Sequence, residues 1–263
     1  MSSTEPAVII EKSGHIATLR LNRPDNRNSM TPELLDAFAA RVAELRSDED
    51  LRCVVVTGTG SCFSAGADFR AAVQREGHGR TTGERSYAMY APFLSLIDVE
   101  VPVIGALQGH AVGGGFGLSL CCDLRVACST ARYGANFAKL GISAGLAISD
   151  VLPRLIGVPR AMELLMTGQL ISGDQGAAWG LFNAAVPAEQ VLARALELAD
   201  DIARSAPIAV RLMKRSIYQN LGWDPRAAAW REAFAQATTL QTDDAREGID
   251  ALLAKRPPQF RGR

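Results

Sequence analysis

The sequence predicts an α/β protein with a parallel sheet over roughly its first half and a nearly all-helical stretch after it. Three observations carry that prediction. β-type runs alternate with helix-compatible segments as far as about residue 145. Two loops rich in small residues each follow such a run and lead into a helix-compatible segment. From Asp150 onward, capped apolar stripes at helical spacing follow one another.

Val8-Ile9-Ile10-Glu11-Lys12 and His15 to Leu21 flank Ser13-Gly14 and read as a β-hairpin. Arg23-Pro24-Asp25-Asn26 breaks the strand. Thr31-Pro32-Glu33 supplies a helix cap, a proline at the first helical position and an early acid, and Leu34, Leu35, Phe38, Val42 and Leu45 form one apolar stripe behind it. A strand is expected at 51–57, a polar stretch at 74–86, a helix near 87–98, a strand at 101–107, a helix at 114–121 and a strand at 123–128. Then come a helix over Asp150–Met166, a capping-box start at Ser172-Gly173-Asp174-Gln175, and helices at 187–204, 207–219, 225–240 and 242–255, the last capped by Thr242. The chain divides into a core, 1–204, and a helical region, 205–263. Apolar stripes in that region (Ala228, Trp230, Phe234; Ile249, Leu252, Leu253) pack either on the chain's own core or against sister subunits; a terminal helical appendage favours the second.

A chain of 263 residues with 48% hydrophobic content can bury a large core. Its 28 basic and 28 acidic residues cancel, so no global field favours nucleic acid or an anionic membrane. Met1 to Pro6 has neither a basic nor an apolar leader region, and no long uncharged apolar run follows, so a cytoplasmic protein is expected. Cys53, Cys62, Cys121, Cys122 and Cys128 lie mostly in apolar runs without zinc spacing and are expected as reduced core residues. His15, His78 and His110 are too scattered for a metal site, and none is expected. The glycine pattern of a dinucleotide fold and the Gly-Lys-Ser/Thr ending of a P-loop are both missing.

The chemistry is carried by Ser64-Ala65-Gly66-Ala67-Asp68 and by Gly109-His110-Ala111-Val112-Gly113-Gly114-Gly115-Phe116-Gly117. Each lies at a strand-to-helix junction, where backbone amides are free to bind an anionic oxygen. Two such amides from separate loops would make an oxyanion hole for a carbonyl. The other explanation of Gly113-Gly114-Gly115 is close packing of helix on strand, and it stands beside the first.

These loops, with Leu21-Asn22-Arg23-Pro24-Asp25-Asn26-Arg27-Asn28-Ser29-Met30, Val56-Thr57-Gly58, Leu152-Pro153-Arg154-Leu155-Ile156-Gly157 and the closing Glu247-Gly248 to Lys255-Arg256, resemble the enoyl-CoA hydratase/isomerase (crotonase) superfamily from about residue 7 to the end. The resemblance implies a spiral of ββα units, a C-terminal helical trimerisation region, and a homotrimer or dimer of trimers. It implies an acyl-CoA thioester as partner, coenzyme A entering with the substrate and no separate cofactor. By motif position the carbonyl donors are the amides of Ala67 and Gly114, each worth roughly 3–4 kcal/mol in the transition state. Arg27, Arg70 and Lys255 are the implied phosphate cations, Lys255 reaching from the C-terminal region of the same or a neighbouring subunit. Ala65 faces the adenine, and Asp68 and Phe69 line the same stretch.

At the acid/base positions the chain departs from the family. The two carboxylates of a hydratase fall on Gly117 and Phe137, and a third acid used by dienoyl-CoA isomerases and dehalogenases falls on Gly145. Each loss costs about 10² to 10⁴ in rate, so ordinary hydration is expected to be poor or absent. Asp150, His110, Glu84, Tyr87 and Tyr90 are the candidate replacements, although Asp150 also reads as a helix-end charge, His110 as a hydrogen-bonded core residue and Glu84 as a solvated charge. Glycines at 117 and 145 are expected to enlarge the pocket, with Phe137 as an apolar wall, for a bulky or long acyl group. Three readings stay open: a lyase or isomerase with another proton donor, a decarboxylase that needs only the oxyanion hole, and a protein that binds acyl-CoA without turnover.

Overall fold

A computed structural model describes residues 5–67 and 81–262. The hairpin forms as expected: β1 (Val8–Ser13) and β2 (Ile16–Leu21) pair antiparallel, Val8 opposite Leu21. In α1 (Pro32–Arg46) the Thr31 hydroxyl accepts from the Leu34 amide, and the five predicted stripe residues are all buried.

The chain then winds in repeated turns. β3 (Cys53–Gly58) leads to β4 (Cys62–Ser64), β5 (Val103–Leu107) to β6 (His110–Val112), and β7 (Leu124–Cys128) to β8 (Arg132–Gly134). The first strand of each pair enters a sheet of order β1-β2-β3-β5-β7-β10, with β10 at Ala184–Val186. The second enters a smaller sheet of order β4-β6-β8-β9, with β9 at Ile171–Ser172. Pairing is parallel from β2 to β10 in the first sheet and from β4 to β8 in the second. All of β3 and β5 is buried, which explains their continuous apolar runs: both faces of a parallel sheet are covered. This is the spiral that the resemblance implies.

Two helix boundaries differ from expectation. α2 spans Thr82–Leu94, five residues earlier than predicted, because Thr81 and Glu84 form a reciprocal capping box in which a Glu84 oxygen accepts from the Thr81 amide at 2.8 Å. Further on, after α3 (Gly114–Leu120), the single helix expected over Asp150–Met166 is two, α4 (Ile148–Ile156) and α5 (Val158–Thr167). Gly157, at φ 80° and ψ 154°, ends one and begins the other.

The capping box at Ser172 opens α6 (Gly173–Ala178), and α7 (Val191–Ala203) lies across β3, β5 and β7. α8 (Pro207–Asn220), α9 (Pro225–Thr239) and α10 (Asp243–Ala254) complete the helical region. α9 packs on α2 and α4 through Ala228, Ala229 and Ala233, whose small side chains let the helices approach closely. α10 packs even more tightly on a 3-10 turn at Phe137–Leu140. A Cβ on Gly248 would meet the backbone of Leu140, and one on Gly141 would lie 2.8 Å from the Ala245 nitrogen. Among the described residues no helix is long and apolar enough to cross a membrane. All five cysteines are buried and unbridged, and burial pushes the Cys53 thiol up to about 12 and that of Cys62 to about 11.

Beyond α10 the chain folds back onto that helix. Both oxygens of Glu247 accept from Arg256, at 2.6 and 2.7 Å, and one also accepts from the Gln259 amide at 2.7 Å. The Arg256 hydrogen bonds are the main reason that the Glu247 carboxyl is held at about 2. A depressed carboxyl supports the folded arrangement above the ordinary glutamate range and ceases to do so as pH falls through its folded value. Protection of the Gln259 amide should therefore be lost between about pH 4.5 and pH 2, in step with the Glu247 carboxyl resonance; loss already complete above that window would contradict the assignment.

Candidate functional site

The small sheet explains why the two loops meet. β4 and β6 are parallel neighbours with Ser64 beside Ala111, so the loops after them leave from the same edge. β8 runs parallel to β6, Val112 beside Gly134, and delivers the Phe137 turn to that edge too. Carboxyl ends of parallel strands are where an open α/β sheet leaves a crevice.

The approach of the loops is very close. Gly66, at φ 79°, adopts a conformation that favours glycine, and a Cβ on it would lie 2.6 Å from the Val112 oxygen and 2.8 Å from the Gly114 nitrogen. A Cβ on Gly115 would overlap Ser64, and one on Gly114 would overlap the Met30 sulfur. The close-packing explanation of the glycine run therefore holds, and that packing brings the two loops together.

A polar layer beneath fixes the first loop. Asn28 is fully buried; its oxygen accepts from the Arg23 amide at 2.8 Å, and its nitrogen donates to the carbonyls of Thr59 and Cys62 at 3.1 and 2.9 Å. The Ser64 hydroxyl donates to the Asn28 carbonyl, the Ala65 amide to Arg27, and the Met30 amide to Gly66. Arg27 and Asn28 both take left-handed backbone, at φ 59° and 53°, to present those carbonyls.

Gly114 heads α3, so its amide precedes any acceptor within the helix. No protein group among the described residues takes a hydrogen bond from it or from the Ala67 amide. At the other end of α3 the buried guanidinium of Arg125 donates to the carbonyls of Cys122 at 2.6 Å, Leu181 at 2.9 Å and Ser119 at 3.4 Å. A cation at the carbonyl end complements the helix dipole, as an oxyanion does at the amide end. Sequence reading missed both Asn28 and Arg125 as architectural residues.

The positions to which the resemblance assigns the acids are closely packed. Phe137 is buried, its ring about 3.9 Å from where a Cβ of Gly113 would lie. Beside Gly117, Leu146 comes within 3.0 Å and Ile148 within 3.3 Å of the corresponding point, and the Tyr90 ring is 2.5 Å from that of Gly145. These side chains pack directly against both glycines, so the expected enlargement for a bulky or long acyl group has no free space beside their Cα atoms to draw on. Leu146 and the next residue, Ala147, are in left-handed backbone, φ 64° and 59°, at a cost of about 1–2 kcal/mol each.

The candidate proton donors disperse. Tyr90 is buried and donates to Gln236 at 3.1 Å, with burial pushing its phenol well above the usual range. Glu84 caps α2, and with Tyr87 it lines a groove of about 650 Å³ shared with Ala91 and Trp230 that includes none of the loop residues. His110 is exposed, contrary to expectation, because it ends up on the rim of the small sheet, where its Nδ1 accepts from the Arg132 amide at 2.9 Å. Asp150 lies in the first turn of α4 and pairs with Arg154 at 3.1 Å; its role there is a helix-end charge.

One carboxylate escaped the sequence reading. Glu232, on α9, is only 7% exposed; burial raises its pKa, and the nearby charge of Asp150 adds to the shift. Its Oε1 accepts from the Ser149 amide at 2.7 Å and from the Ser149 hydroxyl, while Oε2 is buried without a partner among the described residues. A single glutamate in an alanine-rich helix gave no signal for this.

Of the implied coenzyme contacts, Arg27 is exposed beside the first loop and Ala65 is joined to it by a backbone hydrogen bond. Lys255 ends α10 in left-handed backbone, exposed, and no hydrogen bond among the described residues ties it to the loops. Asp68, Phe69 and Arg70 lie outside the described residues. Among the described residues no three His, Cys, Asp or Glu side chains gather as a metal site.

A ββα spiral with two small-residue loops at one sheet edge defines the crotonase class. The family model for enoyl-CoA hydratase/isomerase matches residues 11–263, and the chain belongs to that family. It is 36% identical over 254 residues to a putative enoyl-CoA hydratase of Thermus thermophilus, covering 96% of this chain and 100% of the relative. It is 33% identical to the short-chain-enoyl-CoA hydratase of Clostridium acetobutylicum, covering 95% of each. Among solved structures, carnitinyl-CoA hydratase from Mycobacterium avium superposes with a TM-score of 0.88 at 31% identity, covering 99% of this chain and 100% of that one.

The packing at Gly117 has a direct consequence. Gly117→Glu alone should destabilise the fold by about 1–3 kcal/mol, as expected for an overpacked core. Adding Leu146→Gly should recover much of that loss. Thermal melts of both variants check this, and a single variant as stable as the parent would show that Leu146 does not fill the site.

Proposed function

We propose that the protein is an acyl-CoA thioester enzyme whose carbonyl oxygen site is the pair of amides of Ala67 and Gly114. The observation that supports this most is the approach of Gly66 to Gly114, which brings two free main-chain donors to one edge. In the ground state such donors polarise the thioester C=O; as negative charge gathers on the oxygen they stabilise an enolate. Arg27 and Lys255 are the cations to which coenzyme phosphates would turn, and Phe137 bounds the acyl side.

Gly117, Phe137 and Gly145 cannot transfer protons, so addition of water by the two-carboxylate route is not the proposed reaction. Loss of CO₂ from a malonyl-type thioester fits the remaining groups: the electrons of the breaking C–C bond form the enolate, no base is required, and a solvent proton completes the product. A second reading, binding without turnover, is favoured by Leu146 and Tyr90 filling the space of the missing acids. Incubation with enoyl-, β-hydroxyacyl- and malonyl-type thioesters, followed by mass spectrometry, separates the two. Crotonyl-CoA hydration is expected to be slower than in a two-carboxylate hydratase by a factor of about 10² or more. Calorimetry should detect acyl-CoA binding that Gly114→Pro weakens; a protein that binds none of these thioesters is not an acyl-CoA protein.

The helical region supports a homotrimer or dimer of trimers. In the isolated protomer α8 leaves Ile208, Leu212, Met213 and Ile217 more than half exposed, and Trp230, Phe234, Leu252 and Leu253 are 43–47% exposed. Light scattering should give three or six times the 28.1 kDa chain mass, and a monomer at micromolar concentration would refute the assembly.

A further inference from the structure

We propose that Glu232 is a specificity-determining positioning residue: through Ser149 it locks the Gly145–Ser149 turn, holding Leu146 against Gly117 and limiting the acyl groups that fit there. The proposal rests on the reading that the acyl group lies beside Gly117 and Phe137. It goes beyond that reading by assigning the shape of the acyl side to a residue of the C-terminal helical region.

The turn needs an external restraint. Leu146 and Ala147 are consecutive residues with side chains in left-handed backbone, a conformation that persists only where its surroundings over-determine it. Their own hydrogen bonds are few: the Ala147 carbonyl accepts from the Asp150 amide at 3.1 Å and, as the first helical bond, from Val151 at 3.0 Å. The restraint comes from α9. Glu232, Gln236 and Thr239 stand four and three residues apart and so share one helical face. Glu232 takes the amide and hydroxyl of Ser149. Gln236 donates to the Ser143 carbonyl at 3.0 Å, and Thr239 accepts from the Ser143 amide at 3.0 Å. The turn is thus gripped on both sides of Leu146 by one polar stripe. Between the grips Leu146 is 1% exposed, its Cβ 3.1 Å from the point where a Cβ of Gly117 would stand. Tyr90, hydrogen-bonded to Gln236, closes the turn at Gly145.

A purely structural Glu232 would affect stability and leave selectivity alone. The test measures dissociation constants of butyryl-CoA and benzoyl-CoA by calorimetry for the parent, Glu232→Ala, Leu146→Ala and the double variant. Leu146→Ala should shift the ratio toward benzoyl-CoA by about tenfold, the scale of small steric changes in an apolar pocket. Glu232→Ala should shift it in the same direction, and the double variant should shift it no further than Leu146→Ala alone. An unchanged ratio in Glu232→Ala, or additive shifts in the double variant, overturns the proposal.

A second measurement does not depend on ligand binding or on Glu232→Ala folding. In Glu232→Gln, which keeps the size of the side chain, the Ser149 amide should exchange with solvent about tenfold faster while β3 and β5 stay unchanged. Unchanged exchange at that amide overturns the clamp. Absence of thioester binding in the parent would instead refute the acyl-CoA reading, and amide exchange would still decide the clamp.

Discussion

The parallel pairing of three very short strands, β4, β6 and β8, governs the rest of the molecule. Each is three residues long, yet together they turn three separate loops toward one edge. Because they are parallel, every return to the small sheet needs a long crossover through the larger sheet, and the ββα spiral is the result. The glycines follow from that constraint. With strands about 4.8 Å apart, loops that leave side by side can bring backbone against backbone only where no Cβ intervenes. Gly66 against Gly114, and Gly115 against Ser64, meet that condition.

Among the described residues the buried charges are received by backbone groups. Arg125 is enclosed by carbonyls at the end of α3, and Glu232 by the amide and hydroxyl of Ser149 at the start of α4. Asp123 accepts from Lys214 at 2.7 Å, from the Val103 amide at 2.7 Å and from Tyr218, which ties α8 to the end of β5. The helix that carries the Gly114 amide is short, seven residues, and such a helix has little stability of its own. Its direction comes from what surrounds it.

What the sequence makes legible is local. Caps at Thr31, Ser172 and Thr242, the hairpin turn at Ser13-Gly14, and the apolar stripe of α1 are all encoded within a few residues, and all stand where the pattern puts them. The loops of the candidate site were legible as well, because a triple glycine between strand and helix has few physical explanations. The strands of the small sheet were not: three residues carry no periodicity. The break at Gly157 was hidden because both flanking segments continue an apolar helical pattern across it. The packing against Gly117 and Gly145 was beyond reach for a different reason. A glycine reads as empty space along a chain, whereas Leu146, 29 positions beyond Gly117, and Tyr90, 55 before Gly145, occupy that space only in three dimensions.

The backbone contacts of Gly141 with Asp244 and Ala245, and of Gly248 with Leu140, impose an order on assembly. The two glycine-rich loops can meet once β4 and β6 have paired, early in the chain. Phe137 and Leu146 are held by residues 232–248, which emerge from the ribosome about a hundred residues later. During synthesis the two loops can therefore meet before the segment from Phe137 to Leu146 is held in place. Contacts of such long sequence separation form late and slowly. The last helices to fold thus set the packing beside the loops, and a nascent chain arrested before α10 would lack the backbone contacts that seat the Leu140 turn.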